Sequence, residues 1–216
     1  MNLDGISKLL GLDLAVPPKL VIVDGLSREN SKQVRQIVDT ATKGVSLYCC
    51  DPGESIYDLP NIRGRQPRKS GIKTYEELQE QFYQLAESAR TKLDITSPRF
   101  VLHQTWVSED VEYSGMALKN HIPGEYVIDA VRGNIKSGDF SPDYTLNIPI
   151  FDNQRMFISE KLGGGVPTLI PHSDAIGILN DLDQLDSPQG YNEIVLEFVF
   201  HKAYGKFYKD LYLVKM

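Results

Sequence analysis

The hydrophobic positions change their period about half-way along the chain. In the first hundred residues, short apolar runs alternate with segments of helical period. Residues 20–23 form a β-branched and aliphatic run after Pro17 and Pro18, which predicts a strand. Residues 31–42 place Val34, Ile37, Val38 and Ala41 on one face, which predicts a helix stopped at Gly44. Val45–Cys50 reads as a second strand, closed by the turn signal Asp51, Pro52, Gly53. Residues 51–71, rich in Pro, Gly and basic residues, read as a loop. Thr74 with Glu77 has capping-box spacing, and Leu78, Phe82 and Leu85 carry that helix to about Leu93.

From Phe100 onward the period shortens to that of extended chain. Residues 100–104, 114–118, 126–131, 145–150 and 157–160 predict strands, separated in part by turns at Pro123-Gly124 and Gly138-Asp139. Residues 173–185 predict a helix capped by Ser173. The chain closes with 194–201 and 206–214, a predicted hairpin around Gly205. Helices first and strands afterwards indicate an α+β layering, divided at Ser97-Pro98 into lobes 1–98 and 99–216.

Composition narrows the function classes. At 216 residues the chain suffices for one large domain or two small lobes, and 41% hydrophobic residues support a globular core. A net charge of −6 argues against a nucleic-acid surface. No apolar run is long enough to span a membrane, and the first residues lack a signal-peptide pattern, so a cytoplasmic location is expected. The two cysteines, Cys49 and Cys50, are adjacent; they read as buried thiols at a strand end rather than a redox pair, which lacks its two-residue spacer.

Several segments, in order, resemble the ATP-grasp domain of phosphoenolpyruvate synthase and pyruvate phosphate dikinase. LDLAVPPKLVI, residues 12–22, is similar to the family's "VPPGFVI" strand, and Asp58 to Pro60 to its DLP triplet. FVLHQTWVSEDVEYSG, residues 100–115, resembles the "VQxMV…SGV" hinge. YVIDAVRGNIKSGDFSPD, residues 126–143, resembles "IEAxxGLGExVVxGxVxPD", with Gly133, Gly138, Pro142 and Asp143 in step. EIVLEFVFHKAYGKFY, residues 193–208, resembles the metal-binding "DIEWAxDxxGxLY" hairpin. The resemblance implies an ATP-grasp-like α+β fold of two lobes, with a mainly antiparallel sheet in the second half.

It also implies ATP and Mg²⁺ as cofactors and a candidate site. Gln104, Thr105, Trp106 and Val107 would border the adenine. Glu197 matches the glutamate of the acidic hairpin and, with Asp210 as a substitute further on, would hold the metal. The family's preceding acidic position falls on Val195. Its phosphate-binding arginine falls near Cys49, leaving Arg63, Arg65 and Arg68 close by to supply the charge. The implied partner is a nucleotide, with a small-molecule acceptor if the protein is a phosphotransferase. The rival is a non-catalytic relative serving as a partner-binding or regulatory protein.

Other features favour plainer readings. The run Asn61 to Gly71 reads as a cradle for phosphates or as a solvated loop. Residues 162–177 superficially resemble a phosphohistidine segment around His172, against a Gly-rich loop leading into a helix. Gly163 to Gly165 lack dinucleotide-binding spacing. The histidines have no zinc spacing, and no serine nucleophile elbow occurs. Trp106, Tyr113 and the C-terminal aromatics read as strand packing rather than a stacking platform.

Overall fold

The computed structural model describes residues 3–50, 67–120, 125–135, 141–151, 154–155, 158–160, 170–185 and 193–214. Two antiparallel sheets carry the helices on their outer faces. The first sheet is built from β1 (Val21–Val23), β2 (Val45–Cys50), β3 (Arg68–Ile72) and β4 (Arg99–Gln104), in the order β1-β4-β2-β3. Helices α2 (Arg28–Thr40) and α3 (Tyr75–Leu93) cover one face of it. The burial alternates as period-two chain must: Val45, Leu47, Cys49, Phe100 and Leu102 point into the core under the helices. β4 follows Ser97-Pro98 directly and lies between β1 and β2, inside this first sheet.

The second sheet runs β11-β10-β5-β6-β7-β8, with β9 also on β7. Its strands are β5 (Val111–Asn120), β6 (Glu125–Arg132), β7 (Tyr144–Phe151), β8 (Gln154–Arg155), β9 (Ile158–Glu160), β10 (Glu193–His201) and β11 (Gly205–Val214). The expected C-terminal hairpin is present, with His201 opposite Gly205 and Glu193 opposite Val214. Helices α1 (Leu3–Gly11) and α4 (His172–Asp183) cover the core face. Side chains from the sheet also fasten α4: Tyr113 donates to Asp174, Tyr126 to Asp183, and Tyr208 and Lys206 to Asp181. Burial first, then these carboxylates, push the Tyr113 and Tyr208 hydroxyls far above their usual range, so both remain donors.

Local structure departs from expectation at four points. Helix α2 starts earlier, because Ser27 and Asn30 form a reciprocal cap, and it ends at Thr40; Gly44 makes the turn into β2 at φ +77°. Residues 68–71, expected in a loop, are strand: β3 is exposed over most of its length and owes its state to pairing with β2. Ser173 lies inside α4, whose N-cap is Pro171. Helix α1 has no counterpart among the expected elements. It packs so closely on β11 that a Cβ on Gly5 would fall 2.5 Å from the Leu211 carbonyl oxygen. The thiols of Cys49 and Cys50 are buried, as expected, on opposite faces of β2.

Two glycines should respond to alanine with opposite sign. At Gly115, in the middle of β5, a Cβ would fall 2.0 Å from the Asp129 carbonyl oxygen. Gly115→Ala should therefore destabilise the fold by about 1–3 kcal/mol or more. At Gly177, inside α4, the nearest atom would be Lys206 Nζ at 3.5 Å, so Gly177→Ala should stabilise by up to about 1 kcal/mol. Thermal denaturation of the two variants against the parent checks both signs.

Candidate functional site

The face of the first sheet turned away from α2 and α3 packs partly on Leu3 of α1 and meets the second sheet through the rings of His103, Trp106 and Phe207; the junction between the two sheets is the candidate cleft. On the first sheet, alternation turns Ser46, Tyr48, Val101 and His103 away from the helix-covered core. The chain crosses between the sheets twice, at residues 12–20 and 105–110. Hydrogen bonds hold the second crossing to the first sheet: Thr105 N–H donates to the Gly44 carbonyl at 2.9 Å, and its hydroxyl lies 2.9 Å from Ser46 Oγ. Ser46 in turn donates to Ser70 at 3.0 Å.

On the second sheet, Ile194, Leu196, Phe198 and Phe200 face α1 and α4, so Val195, Glu197, Val199 and His201 face the cleft. A bulge between Glu197 and Phe198 makes Phe198 pair with Tyr208 while Glu197 pairs with Asp210. Lys209 is the extra residue, and both it and Asp210 oppose Glu197. Lys209 Nζ donates to Glu197 Oε1 at 3.0 Å. Across the cleft stands Tyr48, whose hydroxyl is raised above its usual range chiefly by burial, against the pull of Arg68 and Lys209. Arg68 hydrogen-bonds to that hydroxyl from the first sheet, and the charges of Lys209 and Glu197 act on it from the second.

Rings line the crossing end of the cleft. His103 stacks on Tyr48 at 5.3 Å and on Trp106 at 4.8 Å, and Trp106 tilts against Phe207 at 5.2 Å. Phe207 packs with Val111 and Val199. Gln104 is buried and donates from Nε2 to the Tyr204 hydroxyl. The ring of Tyr204 stacks on His201, whose Nδ1 accepts from Ala203 N–H at 3.1 Å.

Of the expected site residues, Gln104, Thr105 and Trp106 lie at the second crossing, Val107 leads into the short 3-10 turn at Ser108–Asp110, and Glu197 stands opposite Asp210 on β10 and β11. Arg63 and Arg65 lie outside the described residues, as do Asp58 to Pro60 and residues 162–169. The position near Cys49 that the resemblance gave to an arginine points into the apolar core under α2 and α3. On the first sheet, Arg68 of β3 reaches the Tyr48 hydroxyl on the opposite face from Cys49. His172 is the first residue of α4. The aromatic readings divide: Tyr113, Phe198, Phe200 and Tyr208 are core, while Trp106 and Phe207 form a cleft cluster. Sequence reasoning missed Tyr48, His103 and Lys209. The odd-even alternation of β2 and β4 could have found the first two, whereas the third depends on the bulge.

Two in-register carboxylates on one wall suit Mg²⁺ shared with phosphate oxygens, since that ion usually takes one or two carboxylates. Glu197 is already matched by Lys209, and Asp210 accepts from the Tyr212 hydroxyl and from Leu211 N–H. Among the described residues, no three His, Cys, Asp or Glu side chains gather into a metal-holding set. No helix among them is long and apolar enough to cross a membrane.

No protein-family model and no curated protein matches the chain. Among solved structures, it is similar to the dinucleotide-forming acetyl-coenzyme A synthetase 1 of Ca. Korarchaeum cryptofilum, solved in complex with coenzyme A, Ca-AMPCP and HgCl+. The TM-score is 0.54 at 13% identity, over 98% of this chain and 91% of that one. An L-amino acid ligase from Bacillus licheniformis gives TM-score 0.49 at 12% identity, over 95% of this chain and 40% of that one. N5-carboxyaminoimidazole synthetase from Staphylococcus aureus gives 0.46 at 13%, over 99% and 44%. The chain therefore spans less than half the length of these last two proteins. The fold is α+β and ATP-grasp-like. At such identities the likeness is one of architecture.

Burial lowers the His103 pKa to about 4, against a smaller upward pull from its bond to the Gln104 carbonyl. The unfolded chain, with an ordinary histidine near 6.5, binds more protons between pH 6.5 and 4. The stabilisation from the neutral ring is full above pH 6.5 and is lost as the pH falls toward 4, by at most roughly 3 kcal/mol. His103→Phe should flatten that part of the stability profile, measured by urea denaturation at stepped pH.

Proposed function

We propose that the protein binds an adenine nucleotide in the cleft between its two sheets, in the manner that its resemblance to ATP-grasp proteins implies. The observation carrying this reading is the Lys209–Glu197 pair on the second sheet, set near the Tyr48 hydroxyl that Arg68 hydrogen-bonds on the first. Cations from both sheets suit a polyanion, and charge-assisted bonds to phosphate are strong. Trp106 and its ring neighbours offer the base an apolar slot at the crossing end. The korarchaeal protein of like fold, holding Ca-AMPCP, supplies an analogy of architecture. The finer likeness to phosphoenolpyruvate synthase rests on the sequence segments alone.

In this reading Gln104, Thr105, Trp106 and Val107 border the base, and Glu197 with Asp210 would hold Mg²⁺, which supplies charge neutralisation to the phosphates. Lys209 would exchange its carboxylate partner for a phosphate oxygen. Arg63 and Arg65, near Arg68 in sequence, would add charge. The reaction class is transfer of a phosphoryl group to a small-molecule acceptor. Such transfer needs mainly positioning and charge stabilisation, which this arrangement offers.

A second reading has its own support. Glu197 is already neutralised by Lys209, and the rings of the slot lie against one another. A partner-binding or regulatory protein that keeps the fold without the chemistry has both features.

Trp106 is the only tryptophan of the chain, so its fluorescence reports on the cleft directly. ATP should change that emission saturably, and Arg68→Ala and Lys209→Gln should each weaken binding about tenfold or more. Emission and melting temperature that ignore millimolar ATP, with or without Mg²⁺, would leave the partner-binding reading standing. Glu197→Gln removes the charge that attracts the metal. It should lower the Mg²⁺-dependent part of the affinity and leave metal-free affinity equal or higher, as isothermal titration would show.

A further inference from the structure

We infer that His103 reads the base of the bound nucleotide, its Nε2 accepting a hydrogen bond from the exocyclic amino group of adenine. The inference rests on the nucleotide reading above and adds the residue that would set base preference. His103 is only 1% exposed, the last residue before the segment that borders the slot. Its Nδ1 lies 2.8 Å from the Gln104 carbonyl oxygen. A carbonyl can only accept, so Nδ1 carries the hydrogen, and in the neutral ring Nε2 is a bare acceptor. Burial keeps the ring neutral down to about pH 4, so this polarity holds throughout the physiological range.

Nε2 has no hydrogen-bond partner among the described residues, although it is fully buried. The ring cannot readily turn to find one. Tyr48 and Trp106 stack on its faces, and rotation would break both contacts and the bond to Gln104. Stacking occupies the faces of the imidazole, while the Nε2 lone pair lies in the ring plane, at the edge. A buried acceptor without a partner carries a penalty that only a donor removes. Adenine offers an amino group at the edge where hypoxanthine offers a carbonyl oxygen. A carbonyl there would set lone pair against lone pair.

His201 shows that this polarity is a property of the individual site. There a backbone N–H donates to Nδ1, so in the neutral ring Nε2 carries the hydrogen. That ring would present a donor where His103 presents an acceptor.

The test compares ATP with purine riboside triphosphate, which has hydrogen in place of the amino group, by isothermal titration against the whole chain. The parent should bind the analogue more weakly by roughly ten- to a hundredfold. His103→Phe keeps a flat ring between Tyr48 and Trp106 but has no acceptor. It should bind both ligands alike, at about the affinity of the parent for the analogue. His103→Gln restores an acceptor oxygen and should recover part of the preference. Equal binding of both ligands by the parent overturns the inference while leaving the nucleotide reading intact. Preference that survives in a folded His103→Phe also overturns it. Binding of neither ligand removes the nucleotide reading and this inference together. If His103→Phe does not fold by circular dichroism, the parent's ratio and His103→Gln decide the matter.

Discussion

The cleft depends on the pairing of β10 with β11 and on the single residue inserted between them. Strand side chains alternate, so one strand can serve a core on one side and a site on the other. Ile194, Leu196 and Phe198 anchor the hairpin to α1 and α4, which commits Val195, Glu197 and Val199 to the cleft. Without the bulge at Glu197, the residues of β11 beyond it would exchange faces. With it, Lys209 and Asp210 both stand opposite Glu197, while Tyr208 and Leu211 remain in the core. The charge pair in the cleft is thus a consequence of register.

The first sheet answers that arrangement through its own alternation. Leu47 and Leu102 hold it to α2 and α3, and the intervening positions deliver Tyr48 and His103 to the opposite side. Ser46, Ser70 and Thr105 then join β2, β3 and the second chain crossing by hydroxyl contacts. These bonds fix where Trp106 leaves the sheet, and therefore where its ring meets His103 and Phe207. The tautomer of His103 follows from the neighbouring backbone carbonyl, a local contact with consequences for what the cleft can recognise.

Residues with a strong local signal were legible from the sequence. Thr74 caps α3 as its spacing predicts, accepting from Glu77 N–H at 3.1 Å. β2 and the C-terminal hairpin fall where their β-branched and aromatic runs place them. Elements without such a signal were not legible. α1 is nine residues long, too short to persist alone, and exists because Ile6 and Leu9 find β11 and its neighbours. β3 shows mostly exposed positions and no alternation, so only its partner reveals it. In the candidate site, Gln104, Thr105, Trp106, Val107, Glu197 and Asp210 came from the family resemblance, whereas Lys209 and Tyr48 came from register and sheet packing.

By itself, then, the sequence determined the helices and strands that carry a cap or a clear period, and which side chains within such a segment share a face. Those are short-range properties: the 3.6- and two-residue periods, the caps, and the turn residues are all set within a few positions of chain. Which face meets which was decided by tertiary structure alone. The partners of Glu197, Tyr48 and His103 lie on other strands and on a crossing between sheets, joined through pairings and a bulge that no local period encodes. A one-residue shift in register costs nothing in the local pattern yet moves every following side chain to the opposite side, so the chemistry of this cleft is written in the packing.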